Sequence, residues 1–417
     1  MRKLLVLGSN FGSVGMVQRA KERGIYTIVT DYLEPSNSNA KLYCDECWDI
    51  STTETEQLAQ KCIEEHVDAI TCGVSEFTSE LTFKLCDRLG LPKYGSWEAW
   101  SVARNKRKFK DLCKQFGVPV AEDYYITDPF DPKQTEGIKY PVVIKPIDCG
   151  GNLGVSFCEN QKELQAAFVK AQEVSDHKDT IICERRLNGK GYTAAYAFAE
   201  GESSLINFFS WHAQDGEPTN IYSVEVTTTG LLDMYNREIN EGIRKVFKAA
   251  GYHDGFGWVE TMTDSDGHMY VLETGYRLLG GMIPYTYQDV LGFNALDWYM
   301  DCFLGIKHTK DELPAPQTKE YPAYGVTYEL WNREAGTIKE IVGLEKVRES
   351  CGNAIIDFAR RPGYQLKPYS VMGQIVFSAP NRQAAIETIQ FINRYVHVYN
   401  EEGTDVLIHF TDFYKIV

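Results

Sequence analysis

Residues 4–7 form a short apolar run that enters a glycine turn, Gly8-Ser-Asn-Phe-Gly12-Ser-Val-Gly15, followed by a helical stretch over 16–23 and a second apolar run over 25–30 that stops at Asp31. The pattern then recurs, with a helix over 54–65, a strand over 69–72 and a helix over 78–89 closed by Gly90-Leu-Pro92. Strands joined through helices cannot pair as hairpins, so the first hundred residues are predicted to form a parallel sheet with helices on its faces. The glycine turn invites a dinucleotide, with Asp31 on the ribose. Its spacing is G-x-x-x-G-x-x-G rather than G-x-G-x-x-G, which favours a purely structural Rossmann-like turn and leaves an NAD-dependent oxidoreductase as the alternative.

A chain of 417 residues with 43% hydrophobic and 12% aromatic content can bury two or three cores. Its net charge of -15 opposes nucleic acid or an anionic membrane as partner. A nucleotide ligand would need a few focal cations for its phosphates. Eleven cysteines spread over helices and strands read as free thiols in a reducing, cytoplasmic setting. The single C-x-x-C of Cys44 and Cys47 is weak evidence for zinc. The basic start precedes an apolar run, residues 4–7, that is far too short for a signal peptide, and no stretch has the length of a membrane span.

Beyond Ser101 the character changes. Residues 104–110 are basic and helical, and Gly117-Val-Pro119 ends that helix. The strand over 140–144 then presents Lys145 just ahead of Asp148-Cys-Gly-Gly-Asn-Leu-Gly-Val155. A lysine beside glycines suits phosphate, because bare backbone N–H groups approach the oxygens while the ammonium supplies charge. Cys149, within this loop, has no neighbour in sequence that would activate it. Residues 180–184 are predicted to be an edge strand leading through a short crossing to a strand ending at Phe198. After Leu313-Pro-Ala-Pro316 the remainder reads as a smaller α+β unit, with strands near 325–329 and 371–377 and a helix over 383–395.

The segment Trp258-Val-Glu260-Thr-Met-Thr-Asp-Ser-Asp-Gly-His-Met-Tyr-Val-Leu-Glu273 reads as a hairpin turning at Asp264-Ser-Asp-Gly267. With Thr263 opposite His268, Glu260 would pair with Val271 and have Glu273 as its diagonal neighbour on one face. Two carboxylates within roughly 5 Å repel by about 3 kcal/mol at an effective dielectric near 20, which calls for a cation. Oxygen ligands beside an anionic substrate suggest magnesium on nucleotide phosphates. Two glutamates on a solvated hairpin are the equal alternative.

Lys106, Lys145 with its glycine loop, Glu184, and the Glu260/Glu273/Arg277 hairpin occur in that order. The order resembles the ATP-grasp superfamily, whose members include D-alanine–D-alanine ligase and biotin carboxylase, and within it the bacilysin-type L-amino-acid ligases. The likeness rests on Cys72-Gly-Val-Ser-Glu76, Asn105-Lys106, Glu273-Thr-Gly-Tyr-Arg277-Leu-Leu-Gly-Gly281 and Gly336-Thr-Ile-Lys-Glu-Ile-Val-Gly-Leu-Glu-Lys346. It implies an α/β and α+β multidomain chain of ATP-grasp fold. A Rossmann-like pre-ATP-grasp domain would cover 1–100, an ATP-grasp core 101–310 with a lid at about 120–190, and a C-terminal α+β domain 311–417.

The resemblance also implies roles. Lys106 and Lys145 would hold the α- and β-phosphates of ATP, and the loop with Gly150, Gly151 and Gly154 would close over the β- and γ-phosphates. Residues from Glu184 to Leu187 would bind adenine. Glu260 and Glu273 would ligate one or two Mg2+ ions. Arg277 would contact the reacting carboxylate and the transferred phosphoryl group, and Glu76 the substrate ammonium. Such ligases join a small-molecule carboxylate to an amine and are often homodimers. Three departures stand out: Gly275 where a metal-ligating asparagine is usual, Gly191 where a ribose-binding acid is expected, and Trp258 where the ligase branch has histidine before the first metal glutamate. Gly275 and Gly191 leave a non-catalytic ATP-binding module as a third reading, whereas Trp258 bears on the acceptor or carboxylate pocket and so on which amino acids are used.

Overall fold

The computed structural model describes residues 1–416 apart from 11, 148–153, 176–180, 219–220, 281, 320–322 and 359. Strands β1 (Lys3–Leu7), β2 (Tyr26–Thr30), β3 (Glu46–Trp48) and β4 (Ala69–Cys72) pair in parallel in the order β3-β2-β1-β4. Burial of all of β4 and the last four residues of β1 and β2 follows from helices covering both faces. The glycine turn is filled by the chain itself. A Cβ on Gly15 would lie 1.8 Å from the Tyr285 hydroxyl, which donates to the Gly12 carbonyl at 3.0 Å. Asp31 accepts from the Ser38 hydroxyl at 2.7 Å and the Leu33 N–H at 2.8 Å, and pairs with Lys41 at 3.2 Å. Backbone space and ribose-binding acid are both spent on packing, as the structural-turn reading requires.

Strands β5 (Asp123–Tyr124), β6 (Val142–Pro146), β7 (Ser156–Cys158) and β8 (Ile181–Arg185) form an antiparallel sheet in the order β5-β8-β6-β7. Alternation on β6 buries Val142, Ile144 and Pro146 and puts Lys145 on the other face. Val142 and Ile144 join Leu164, Phe168 and Ala171 of helix Gln161–Val174 in a separate core. The edge-strand expectation for 180–184 is corrected here, because β8 lies between β5 and β6. Its second neighbour pairs through only Asp123↔Glu184 and Tyr124↔Cys183, too short to announce itself in sequence.

The rest of the chain supplies β9 (Gly191–Ala199), β10 (Glu202–Ala213), β11 (Tyr222–Thr227), β12 (Gly255–Thr263), β13 (Met269–Gly275), β14 (Tyr324–Trp331), β15 (Gly336–Val342), β16 (Ile355–Phe358), β17 (Gln365–Leu366), β18 (Val371–Ala379) and β19 (His397–Asn400). Eight of these form one antiparallel sheet, β13-β12-β9-β10-β11-β14-β18-β16, and three form another, β17-β15-β19. Strands on both sides of residue 310 thus share one sheet, joined at β11–β14. One hydrophobic core runs from β1 to helix Ala295–Leu304, and a second packs β14 and β18 against helix Arg382–Tyr395. No described helix is long and apolar enough to cross a membrane.

Candidate active site

Glu260 and Glu273 face each other directly across β12 and β13. The diagonal arrangement expected from the sequence is corrected by two one-residue shifts. The loop spans five residues, so that Thr263 sits opposite Met269, and Leu272 is an extra residue between the Thr261↔Val271 and Glu260↔Glu273 pairs. Such a bulge re-aims the side chains beyond it. Asp264, which reads as a turn residue, instead anchors the loop by an ion pair with Arg185 and by accepting the Asn188 N–H at 3.2 Å.

Two lysines approach this pair from different elements. Lys106 opens helix Lys106–Gln115, whose first turn is capped by the Asn105 side chain accepting from the Arg107 and Lys108 N–H groups. Its Nζ lies 3.0 Å from Glu273 Oε2. Lys145 on β6 ion-pairs with Glu184 on β8, and Lys110, one helical turn after Lys106, binds the other oxygen of the same carboxylate. Glu184 is therefore buried between two ammonium groups. Lys110 escaped the sequence reading because its helix looked like a solvated basic face. The i, i+4 spacing from Lys106 was the available signal.

Burial and the facing Glu273 charge push Glu260 up to about 8. Burial also works against ionisation of Glu273, but Lys106 and then Lys145 outweigh it and hold its carboxyl below the usual range. One member of the pair is ionised at neutral pH and the other protonated.

Arg277 lies just past β13 with its guanidinium 5.1 Å from the Trp258 ring centre, while Nη1 donates to the Leu278 carbonyl at 2.9 Å. Its Nη2 is 3.9 Å from Glu76 Oε2, and Arg104 Nε is 3.5 Å from Glu76 Oε1. Glu76, the first residue of helix Glu76–Leu89, is thus drawn to the arginines of the cleft. Two departures from the pattern expected from the resemblance have one cause. Trp258 sits opposite Gly275, and a Cβ on Gly275 would lie 2.4 Å from the indole. Gly191 repeats the device, with a Cβ there 1.9 Å from the ring of Trp211. In the glycine loop, Gly154 has φ +77° and no room for a Cβ between Pro146 and Val174. Cys149, Gly150 and Gly151 lie outside the described residues. Leu187 is buried just ahead of β9.

Two further acids share the face of the large sheet that carries Glu260 and Glu273. Glu225 on β11 pairs with Trp211 and Thr327, and Glu329 follows Thr327 by two residues on β14. Glu329 accepts from Trp331 Nε1 and Gln374 Nε2, both at 2.9 Å. Glu225 Oε2 is buried without a hydrogen-bond partner among the described residues. Burial, then Glu329 and Glu260, drive Glu225 well above the ordinary carboxylate range, and burial raises Glu329 to about 7. Each is a lone acid inside an apolar strand, a pattern that the sequence reading passed over for Glu225 and took only as strand for Glu329.

Residues 138–284 match the family described as ATP-grasp domain. The chain carries an ATP-grasp domain and takes the ATP-grasp fold. It is similar in structure to the L-amino acid ligase from Bacillus licheniformis, at 19% identity over 96% of this chain and 99% of that one, with a TM-score of 0.76. The biotin carboxylase domain dimer of the Hydrogenobacter thermophilus 2-oxoglutarate carboxylase, solved with MgADP, superposes with a TM-score of 0.75 at 20% identity, covering 95% and 91%. In sequence, the D-alanine--D-alanine ligase of Halorhodospira halophila is 30% identical over 202 residues, 45% of this chain and 62% of that ligase.

Proposed function

We propose that this chain is an ATP-dependent carboxylate–amine ligase that forms an amide through an acyl phosphate and releases ADP and phosphate, with an amino acid as one substrate. The observation that carries this reading is the Glu260–Glu273 pair with Lys106 3.0 Å away and Arg277 on Trp258 beside it. Two facing carboxylates that cannot both ionise fit an oxygen-ligated divalent cation. Glu260 and Glu273 would hold one or two magnesium ions, and Lys106 and Lys145 the α- and β-phosphates. Bound MgATP supplies the phosphoryl group that activates the acid.

The residues divide the remaining work. Glu184 sets the reach of Lys145 through their ion pair, while backbone groups from Glu184 to Leu187 meet the adenine. Gly154 and the rest of the loop through Gly150 and Gly151 cover the β- and γ-phosphates. Arg277, clamped by Trp258 and the Leu278 carbonyl, presents its fork to the reacting carboxylate and the transferred phosphoryl group. Glu76 receives the substrate ammonium. Glu225 is the base: in its ionised form this carboxylate, whose Oε2 has no hydrogen-bond partner among the described residues, takes one proton from the incoming ammonium, after which the nitrogen attacks the acyl carbon and the phosphate leaves with the second proton. The features that favoured a binding-only module, Gly275 and Gly191, make room for Trp258 and Trp211 and no longer argue for it.

We place the enzyme in the cytoplasm, as a homodimer. Phosphate release from ATP-magnesium with amino acids offered singly and in pairs, read together with product mass, tests the reading. Amide and ADP in equal amounts support it. ATP binding with no substrate-dependent ADP across the panel would favour the module instead.

A further inference from the structure

We propose that His397, Asp405 and His409 form a binding site for a borderline divalent metal ion of the zinc type, on elements that carry none of the residues assigned above. His397 opens β19. After Asn400 the chain reverses, with the Asn400 side chain accepting from the Glu402 and Thr404 N–H groups, and Asp405 returns beside Tyr399. Asp405 Oδ1 accepts the backbone N–H groups of Val398 and Leu407, both at 3.2 Å, which fixes the carboxylate. Its other oxygen, Oδ2, lies 2.7 Å from His397 Nδ1 and 2.9 Å from His409 Nε2. One ligand atom from each of the three residues falls within 4.8 Å of the others.

The outer contacts orient the three side chains. His397 Nε2 lies 3.2 Å from the Arg394 carbonyl oxygen, which turns Nδ1 toward Asp405, and a ring held on a backbone carbonyl in this way is how metal-bound histidines are positioned. A metal ion would take the place of the hydrogen bonds that now join the two rings to the carboxylate. Two imidazoles and one carboxylate suit zinc or its neighbours better than magnesium or calcium. The side chains are about a quarter exposed, at 26%, 24% and 26%, so water can complete the shell. Val406, Leu407 and Phe410, between and beside the ligands, belong to the second core. The ion would therefore staple the C-terminal tail to β19.

The cysteines Cys44 and Cys47, whose sulfurs are 3.4 Å apart, are the competing site, so the test is made on the full chain carrying Cys44→Ser and Cys47→Ser. Metal-stripped protein is titrated with zinc chloride by calorimetry, and a cobalt(II) spectrum is recorded. The expected result is one equivalent of zinc, a cobalt d–d band without thiolate charge transfer, and a zinc-dependent rise in Tm. His409→Ala and Asp405→Asn should each weaken binding by at least about tenfold. Unchanged zinc affinity in both variants, or a cobalt spectrum of free aqueous ion with the histidines intact, overturns the proposal. The spectrum needs no substitution at the site, so a variant that misfolds cannot rescue it.

Discussion

Arg277 stacks on Trp258 and donates to the Leu278 carbonyl, which fixes the plane of its fork before any substrate arrives. Lysine in its place keeps the charge and loses both the plane and the stacking. Arg277→Lys should therefore lower kcat by about a hundredfold or more while the Kd for ATP, measured by calorimetry, stays nearly unchanged. Equal losses would contradict the role. Glu225→Gln separates the two chemical steps. Amide formation should fall by about 10²–10⁴, whereas trapping of the acyl phosphate by hydroxylamine, which arrives unprotonated, should persist as hydroxamate. Loss of hydroxamate as well would place Glu225 in activation of the acid rather than in deprotonation of the amine.

At the scale of elements, the β12–β13 hairpin carries the site and its own constraint. Placing asparagine, the residue that the resemblance leads one to expect, at this position by Gly275→Asn should drive a side chain into Trp258, at a cost of about 1–3 kcal/mol and a fall of several degrees in Tm by calorimetry. The second change Trp258→His should recover most of it. Full stability of Gly275→Asn alone would show that the strands can part. This coupling was hidden in the sequence because the two positions are seventeen residues apart by their numbers, 258 and 275 being joined only through pairing, and the bulge at Leu272 upset the register that alternation alone suggests. Other features were legible: β4 at Ala69–Cys72 and β18 from Val371 fall where apolar β-rich runs end in turns. Glu225 was not, since its neighbours come from strands distant in the chain, and Lys110 offered only its i, i+4 spacing from Lys106.

Across the whole molecule, one eight-stranded sheet bears Glu273, Glu260, Glu225 and Glu329 on a single face, so segments before and after residue 310 build one acidic wall opposed by Lys106 and Arg277. Its charge depends on pH in a definite direction. Glu260, raised from the ordinary 4.5 to about 8, stabilises the metal-free fold in its protonated form; that contribution is complete below pH 4.5 or so and is lost as pH rises through about 8. Magnesium held by this pair, as proposed, would have to displace this proton. The Tm increase caused by MgATP should be larger at pH 9 than at pH 6, and Glu260→Gln should flatten the difference. Equal shifts at both pH values would mean that the pair is not where the cation binds.

The central claim is that these facing carboxylates and the lysines beside them act on ATP. Its most direct test is ADP release by the wild-type chain and by Lys145→Ala and Glu273→Ala, each confirmed folded by circular dichroism, with magnesium, ATP and the amino-acid pairs that support turnover. Folded variants with ADP formation reduced to background are the predicted result, and wild-type turnover in either one would contradict the account.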